Sequence, residues 1–197
     1  MELRHGRTPT QQRAQVRVER VLHATGTLLG EVGYAKTTTN RIAERAQVHV
    51  PSVYQYFANK DALVAELWDR HVGQLMGLLE AMIAAHPDTP IAETSRLYVR
   101  AVLQLHAAQP SLLAQLYNEA PRLSGVRQLR DEAVALLVPY LYRHRAEIGV
   151  DDLEVAAFVL AAAVEGVARQ AVRPGAPPIE RLEDELCNLV NAYLQVS

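Results

Sequence analysis

The sequence predicts an all-α protein made of a small basic helical unit followed by a larger acidic helical body. Three observations lead there. Apolar residues recur at the i, i+3, i+4 steps of a helix stripe nearly throughout. Prolines fall between those stripes, with one exception. No run joins two-residue alternation to β-branched enrichment, the pattern a strand needs.

The elements follow in order. Val18, Val21, Leu22, Leu28, Leu29 and Val32 form the first stripe, with Thr25 filling its gap, and Gly33 stands where a helix end favours a left-handed residue. Thr37, Thr38 and Thr39 are N-cap candidates for a short segment reaching Ala46, whose apolar edge is Ile42, Ala43 and Ala46. Gln47-Val48-His49 interrupts the pattern. A second short helix runs from Val50 to Phe57, with Pro51 in its first turn. Asn59 caps a long segment from Lys60 to about His86, and Asp61 suits its N-terminal dipole. Further helices span roughly 90–108, 110–119, 125–148, 151–172 and 178–195, bordered by Pro87, Pro90, Pro110, Pro121, Pro174, Pro177 and Pro178. Pro139 lies inside a helical stretch and predicts a kink or a break.

Composition bounds the function. A chain of 197 residues with 49% hydrophobic content buries enough apolar surface to need no disulfide or metal staple. Its single cysteine forms no internal disulfide and leaves no cysteine-based zinc site. No stretch of about 18 apolar residues exists to span a membrane. Residues 1–12 are polar and basic without the apolar core of a secretion signal, so the expected location is cytoplasmic. The net charge of −2 conceals an asymmetry: residues 1–60 hold nine basic and four acidic side chains, and residues 61–197 hold eleven and eighteen. A head of +5 on a body of −7 suggests a polyanion at one end. No GxSxG elbow, Walker loop, HExxH pair or Cys/His cluster is present, so no catalytic residue, metal or cofactor is expected.

Three helices, the last two joined by a turn of three or four residues, describe a helix-turn-helix. The third is short enough to enter a major groove about 12 Å wide. Val53 and Phe57 face inward onto Ile42, Ala43 and Ala46, which leaves His49, Val50, Ser52 and Gln55 toward solvent or DNA.

The run Gly33-Tyr34-Ala35-Lys36-Thr37-Thr38-Thr39-Asn40-Arg41-Ile42-Ala43, followed by Ala46-Gln47-Val48, Ser52-Val53-Tyr54-Gln55-Tyr56-Phe57 and Asn59-Lys60-Asp61-Ala62-Leu63, resembles the N-terminal domain of the TetR family of bacterial transcription regulators. The resemblance covers about residues 15–70. It divides the chain into a DNA-binding domain over 1–58, with a short arm, and an effector-binding and dimerisation domain over 59–197. Two positions depart from the pattern: Gln47 replaces the usual turn glycine, so the turn is expected to form without positive φ, and His49 replaces a small hydroxyl residue.

The resemblance implies roles. Thr38 and Thr39 would donate hydroxyls to phosphate at the start of the second helix. Tyr54, Tyr56 and Lys60 would grip phosphates. Asn40, Arg41, His49, Val50, Pro51, Ser52 and Gln55 would face base edges, with Arg41 suited to guanine, Gln55 to adenine and Val50 to a thymine methyl. Arg4, Arg7 and Arg13 would add contacts from the arm. Plainer readings stand beside these. Tyr54 and Tyr56 also fit core-edge aromatics. Arg41 and Arg45 fit a solvated face paired with Glu44 or Glu31. Lys60 fits a merely exposed first-turn residue.

In the body, Ala156, Ala157, Ala161, Ala162, Ala163, Gly166 and Ala168 allow close helix approach, and Leu182, Leu186, Leu189, Val190 and Tyr193 form a stripe. By resemblance, the last two long helices form a four-helix bundle in a homodimer; otherwise these faces pack within one chain. The resemblance also implies a small-molecule pocket between about 60 and 172, for which Met76, Met82, Tyr98, His106, Tyr117, Tyr140, Phe158, Glu165 and Arg169 are candidates. Glu165 and Arg169 alternatively form an i, i+4 ion pair. The implied function is a homodimeric repressor that binds double-stranded DNA at a palindrome. A small-molecule effector would release it by pivoting the helix that begins at Lys60. The competing reading is a constitutive DNA-binding or protein-binding helical dimer.

Overall fold

A computed structural model of the chain describes residues 9–119 and 125–195. They form helices α1 (Pro9–Lys36), α2 (Thr39–Ala46), α3 (Val50–Tyr54), α4 (Lys60–Ala85), α5 (Ile91–Ala108), α6 (Pro110–Glu119), α7 (Gly125–Arg143), α8 (Leu153–Ala171) and α9 (Ile179–Leu194), with no strand among the described residues. No helix among them is long and apolar enough to cross a membrane. The chain packs as two compact units, residues 1–67 and 68–197. That division falls inside α4, past the 58/59 point drawn from the sequence, because Leu63 and Leu67 belong to the packing of the first unit.

The first unit is held by a small core. Val21, Leu22, Ala24 and Leu28 of α1 meet Ile42, Ala43 and Ala46 of α2, Val53 of α3 and Leu63 of α4, with Val18, Val48, Val50 and Phe57 closing its edges. Thr25 fills the stripe's gap and returns its hydroxyl to the Val21 carbonyl at 2.8 Å, so burial leaves no donor unsatisfied. Gly33 takes φ 76° and breaks the helical path of α1, as its position suggested. Thr37, fully buried, then donates to the Gly33 carbonyl at 2.8 Å.

Thr38 is the N-cap of α2: its backbone is extended and its hydroxyl oxygen accepts from the Arg41 amide at 3.3 Å. The far end of α2 corrects the expected turn. Gln47 does adopt the left-handed conformation, φ 53° and ψ 48°. Its amide reaches the Glu44 carbonyl at 3.1 Å while the Val48 amide reaches that of Ala43 at 3.0 Å, the bond pair of a Schellman cap. A glycine would enter this conformation without cost, whereas a side chain costs about 1–2 kcal/mol. The Arg20 guanidinium, 2.6 Å from the Ala46 carbonyl and 3.3 Å from that of Gln47, gathers the exposed carbonyls and helps to hold the turn. Regular α3 ends at Tyr54, short of the expected 57. The Tyr56 and Phe57 amides still bond the Val53 carbonyl, so the chain continues as a tightened turn. Asn59 caps α4 through the Ala62 amide at 2.9 Å.

In the second unit α5, α7, α8 and α9 pack on one another, and the rest of α4 and α6 contribute Trp68, Leu75, Leu113 and Leu116 to its interior. Helix α7 runs through Pro139 without the break that was one of the two expected outcomes. The carbonyl freed by the missing N–H of Pro139 belongs to Ala135, and both residues lie on the exposed side of the helix, where the loss costs least. The helix stops at Arg143 instead of 148, and a 3₁₀ turn over Arg145–Glu147 follows. That turn serves α5: Glu147 accepts from the Ile91 amide at 2.9 Å and pairs with His144 at 2.7 Å, capping a helix whose own N-cap, Pro90, has no donor or acceptor side chain. Burial pushes the Glu147 carboxyl up, and the bonds from His144 and Ile91 outweigh it, leaving the group below its usual range. Arg100 grips the mostly buried Glu183 with both Nε and Nη2, tying α5 to α9.

Candidate nucleic-acid interface and cavity

Helix α3 divides its residues sharply. Val53 is 1% exposed in the core, while its neighbour Tyr54 is 54% exposed. His49, Pro51 and Gln55 are exposed beside it, with Ser52 and Tyr56 half-buried. On α2, Thr38, Asn40 and Arg41 are exposed and Thr39 is half-buried. The exposed residues of α3 and of the start of α2 are therefore polar and aromatic. Val50 is the exception to the outward set, since it packs in part against the core and offers only an edge to a base.

Three of the cations around this patch are already engaged. Arg41 donates through Nη1 to the Lys36 carbonyl at 2.8 Å. Lys60 donates to the Tyr34 carbonyl at 2.8 Å, and its ammonium lies 3.7 Å from the centroid of the Tyr34 ring. The Tyr34 hydroxyl in turn donates to Asp61. Arg45 pairs with Glu31 at 2.7 Å, the plainer of its two readings. The hydrogen bond from Arg45 holds the exposed Glu31 carboxyl below its usual range. Thr38 accepts at its cap with the hydroxyl proton still available to donate, so capping and phosphate contact are compatible. Arg13 is exposed on α1; Arg4 and Arg7 lie outside the described residues. Arg20 and Tyr34 escaped the sequence reading. Their partners are distant in the chain and no local spacing marks them.

The second unit encloses a cavity of about 90 Å³. Seven of the nine sequence candidates line it: Met76, Met82, Tyr98, His106, Tyr117, Tyr140 and Glu165. Phe158 does not; it is 46% exposed, with the Arg130 guanidinium 4.8 Å from its ring centroid. Arg169 is also absent from the wall and instead faces Glu165 at 3.5 Å, an ion pair without hydrogen-bond alignment. Thr94, Ser95 and Arg130 line the cavity although the sequence reading passed over them. A stripe reading finds them: residues 91, 94, 95, 98, 102 and 106 share one face of α5, and 130, 133, 137 and 140 one face of α7.

Beside the cavity, His106 bonds the Tyr117 hydroxyl at 3.0 Å through Nε2 and the Val102 carbonyl at 2.8 Å through Nδ1, so Nδ1 carries the proton and the tyrosine donates. The rings of Trp68, His71, His106 and Tyr117 pack together, with His71 and His106 centroids 5.0 Å apart. Burial, reinforced by His106, pushes His71 down to about 3. Burial also lowers His106 and raises Tyr98 to about 12, so all three are neutral at physiological pH. For Glu165, burial outweighs the pull of Arg169 and Arg130 and raises its carboxyl.

A helix-turn-helix unit presenting an outward α3, followed by a separate helical unit around a cavity, is the architecture of a DNA-binding transcriptional regulator. Residues 21–67 match the family of bacterial regulatory proteins called tetR, and residues 90–194 match the tetracyclin repressor-like C-terminal domain. The chain belongs to the TetR family, whose members are regulators and not enzymes. It is 39% identical over 62 residues to YvkB, an uncharacterized HTH-type transcriptional regulator of Bacillus subtilis (strain 168), a match spanning 32% of this chain and 33% of that protein. The fold resembles a TetR-family transcriptional regulator from Streptomyces coelicolor at 25% identity and TM-score 0.64, over 91% of this chain and 98% of that one. It also resembles a tetR-family regulatory protein from Rhodococcus RHA1 at 15% identity and TM-score 0.74, covering 92% and 98%.

Proposed function

We propose that the chain is a cytoplasmic homodimeric repressor that reads a palindromic operator with α3 and leaves it when a small molecule enters the cavity of the second unit. The observation that carries the DNA half is the outward face of α3, where Tyr54 and Gln55 project from a helix anchored by Val53. Residues 1–58 read DNA in this proposal, joined by Lys60 at the start of α4, with Tyr54, Tyr56, Lys60, Thr38 and Thr39 on phosphates and Asn40, Arg41, His49, Val50, Pro51, Ser52 and Gln55 near bases. Residues 59–197 bind the effector and the second subunit. Exposed Val155, Phe158 and Val159 on α8 and Leu189 on α9 are large apolar side chains that a partner's matching face would cover, which supports dimerisation. A single reading helix contacts too few base pairs for useful discrimination, and a two-fold axis doubles the site.

The test is selection of bound duplexes from a random DNA pool at physiological salt. Enrichment of a palindrome is expected. Binding that is blind to sequence and lost on adding salt refutes the reading and leaves a module that only holds phosphates.

A further inference from the structure

The cavity carries chemistry of its own at one end. Arg130 lines it with a buried Nε–H that has no hydrogen-bond partner, and Glu165 beside it has a buried Oε1 in the same condition. An unpaired buried donor is costly, so its presence on a cavity wall points to a group that arrives from outside. The charge at this end is unbalanced, with the guanidiniums of Arg130 and Arg169 against the single carboxyl of Glu165. Among the described residues Asp131 also approaches Arg130, 3.6 Å from Nη2, but its side chain is 67% exposed and its charge is screened by water. The guanidinium is held in place by its position over the Phe158 ring. Away from this end, the wall is aliphatic and adaptable, with Met76, Leu79, Val99 and Leu137.

Resting on the reading of the cavity as an effector site, we infer that its ligand is an amphipathic monoanion whose carboxylate is held by Arg130 and whose apolar body lies among these aliphatic side chains. A carboxylate accepts from Nε–H and removes the excess positive charge. A cationic head would face the Arg130 guanidinium, and a neutral one leaves the charge uncompensated. Size follows from the volume. A cavity of about 90 Å³ holds more than a single water, so an apolar body fits beside the head.

Isothermal titration of the full chain at pH 7 with octanoate, octan-1-ol and octylamine tests this, since the three share a body and differ in the head. Octanoate is expected to bind about tenfold tighter or better than the other two. In Arg130→Met the preference disappears while octan-1-ol binding stays within about threefold of wild type. Ala133→Phe, which fills part of the cavity, weakens all three together, and circular dichroism checks that both variants are folded. Equal binding of the three heads, a preference that survives Arg130→Met, or no binding of octanoate overturns the assignment. The effector reading is read separately, by fluorescence anisotropy of labelled operator. Octanoate that binds with head preference but leaves DNA in place upholds the ligand class and refutes release. Release by another compound, without octanoate binding, does the reverse.

Discussion

Gln47→Gly is expected to stabilise the first unit. The residue sits at φ 53° and ψ 48°, near the centre of the left-handed region, with the Schellman bonds made by backbone alone. Relief of the Cβ contact returns about 1–2 kcal/mol. Glycine's extra freedom in the unfolded chain takes back about 0.5–1 kcal/mol. The side chain itself adds little, since its Oε1 lies 3.5 Å from Arg20, at the outer limit of a hydrogen bond and exposed. Arg20 keeps its 2.6 Å bond to the Ala46 carbonyl in the variant. The balance is a gain of about 0.5–1 kcal/mol, or a rise in Tm of about 1–4 °C for a chain of this size. Thermal unfolding followed by circular dichroism measures it, with Gln47→Ala as control because alanine keeps the Cβ. A glycine variant no more stable than wild type, or an alanine variant that gains as much, would show that the left-handed turn is not strained.

Other expectations follow from the same contacts. Arg20→Met leaves the end of α2 to water and costs about 1 kcal/mol, read as a lower urea midpoint with unchanged slope. Tyr54→Phe and Lys60→Ala weaken DNA binding similarly on every sequence, and Lys60→Ala reduces the salt slope by about 1, whereas Gln55→Ala shifts base preference; identical profiles for all three, in repeated selections, would sink these roles. His71 makes stability depend on pH. Its folded pKa of about 3 lies below the unfolded value near 6.5, so the stability is fully present above 6.5 and falls as pH drops toward 3. At pH 5 the loss from this group is about 2 kcal/mol. His71→Leu flattens the denaturation profile between pH 6.5 and 5, and an unchanged profile refutes the assignment.

What could be read from the chain was local. Thr38 and Asn59 cap the helices they precede, Gly33 ends a stripe, and Pro90, Pro110 and Pro178 stand at helix starts, because each effect acts within one turn of its residue. The same local rule could not say whether Pro139 breaks its helix, because that cost depends on whether the freed carbonyl meets water, a tertiary matter. Periodicity alone set Val53 inward and His49 and Gln55 outward, and it misplaced Val50, which packs in part against the core. The partners of the cations around α3 were not legible. Arg20 reaches 26 residues to Ala46 and Lys60 reaches 26 back to Tyr34, distances that no helical spacing encodes. The cavity shows the same division. Helix faces foretell which stripe is inward, yet Arg130 on the wall and Phe158 off it reverse the usual preference of charge and ring. That exchange is settled by the guanidinium resting on the aromatic face, a pairing between helices α7 and α8.

The clasp at Tyr34 changes what a phosphate contact by Lys60 is worth. The ammonium already holds a carbonyl at 2.8 Å and a ring face at 3.7 Å. Binding a phosphate is then a swap of partners, and only the difference between them enters the affinity. The released counterions depend on the phosphate charge neutralised, whatever the lysine gave up to reach it. Ionic-strength dependence and binding strength at this position are therefore separate quantities, the first near its full value and the second discounted by the tyrosine.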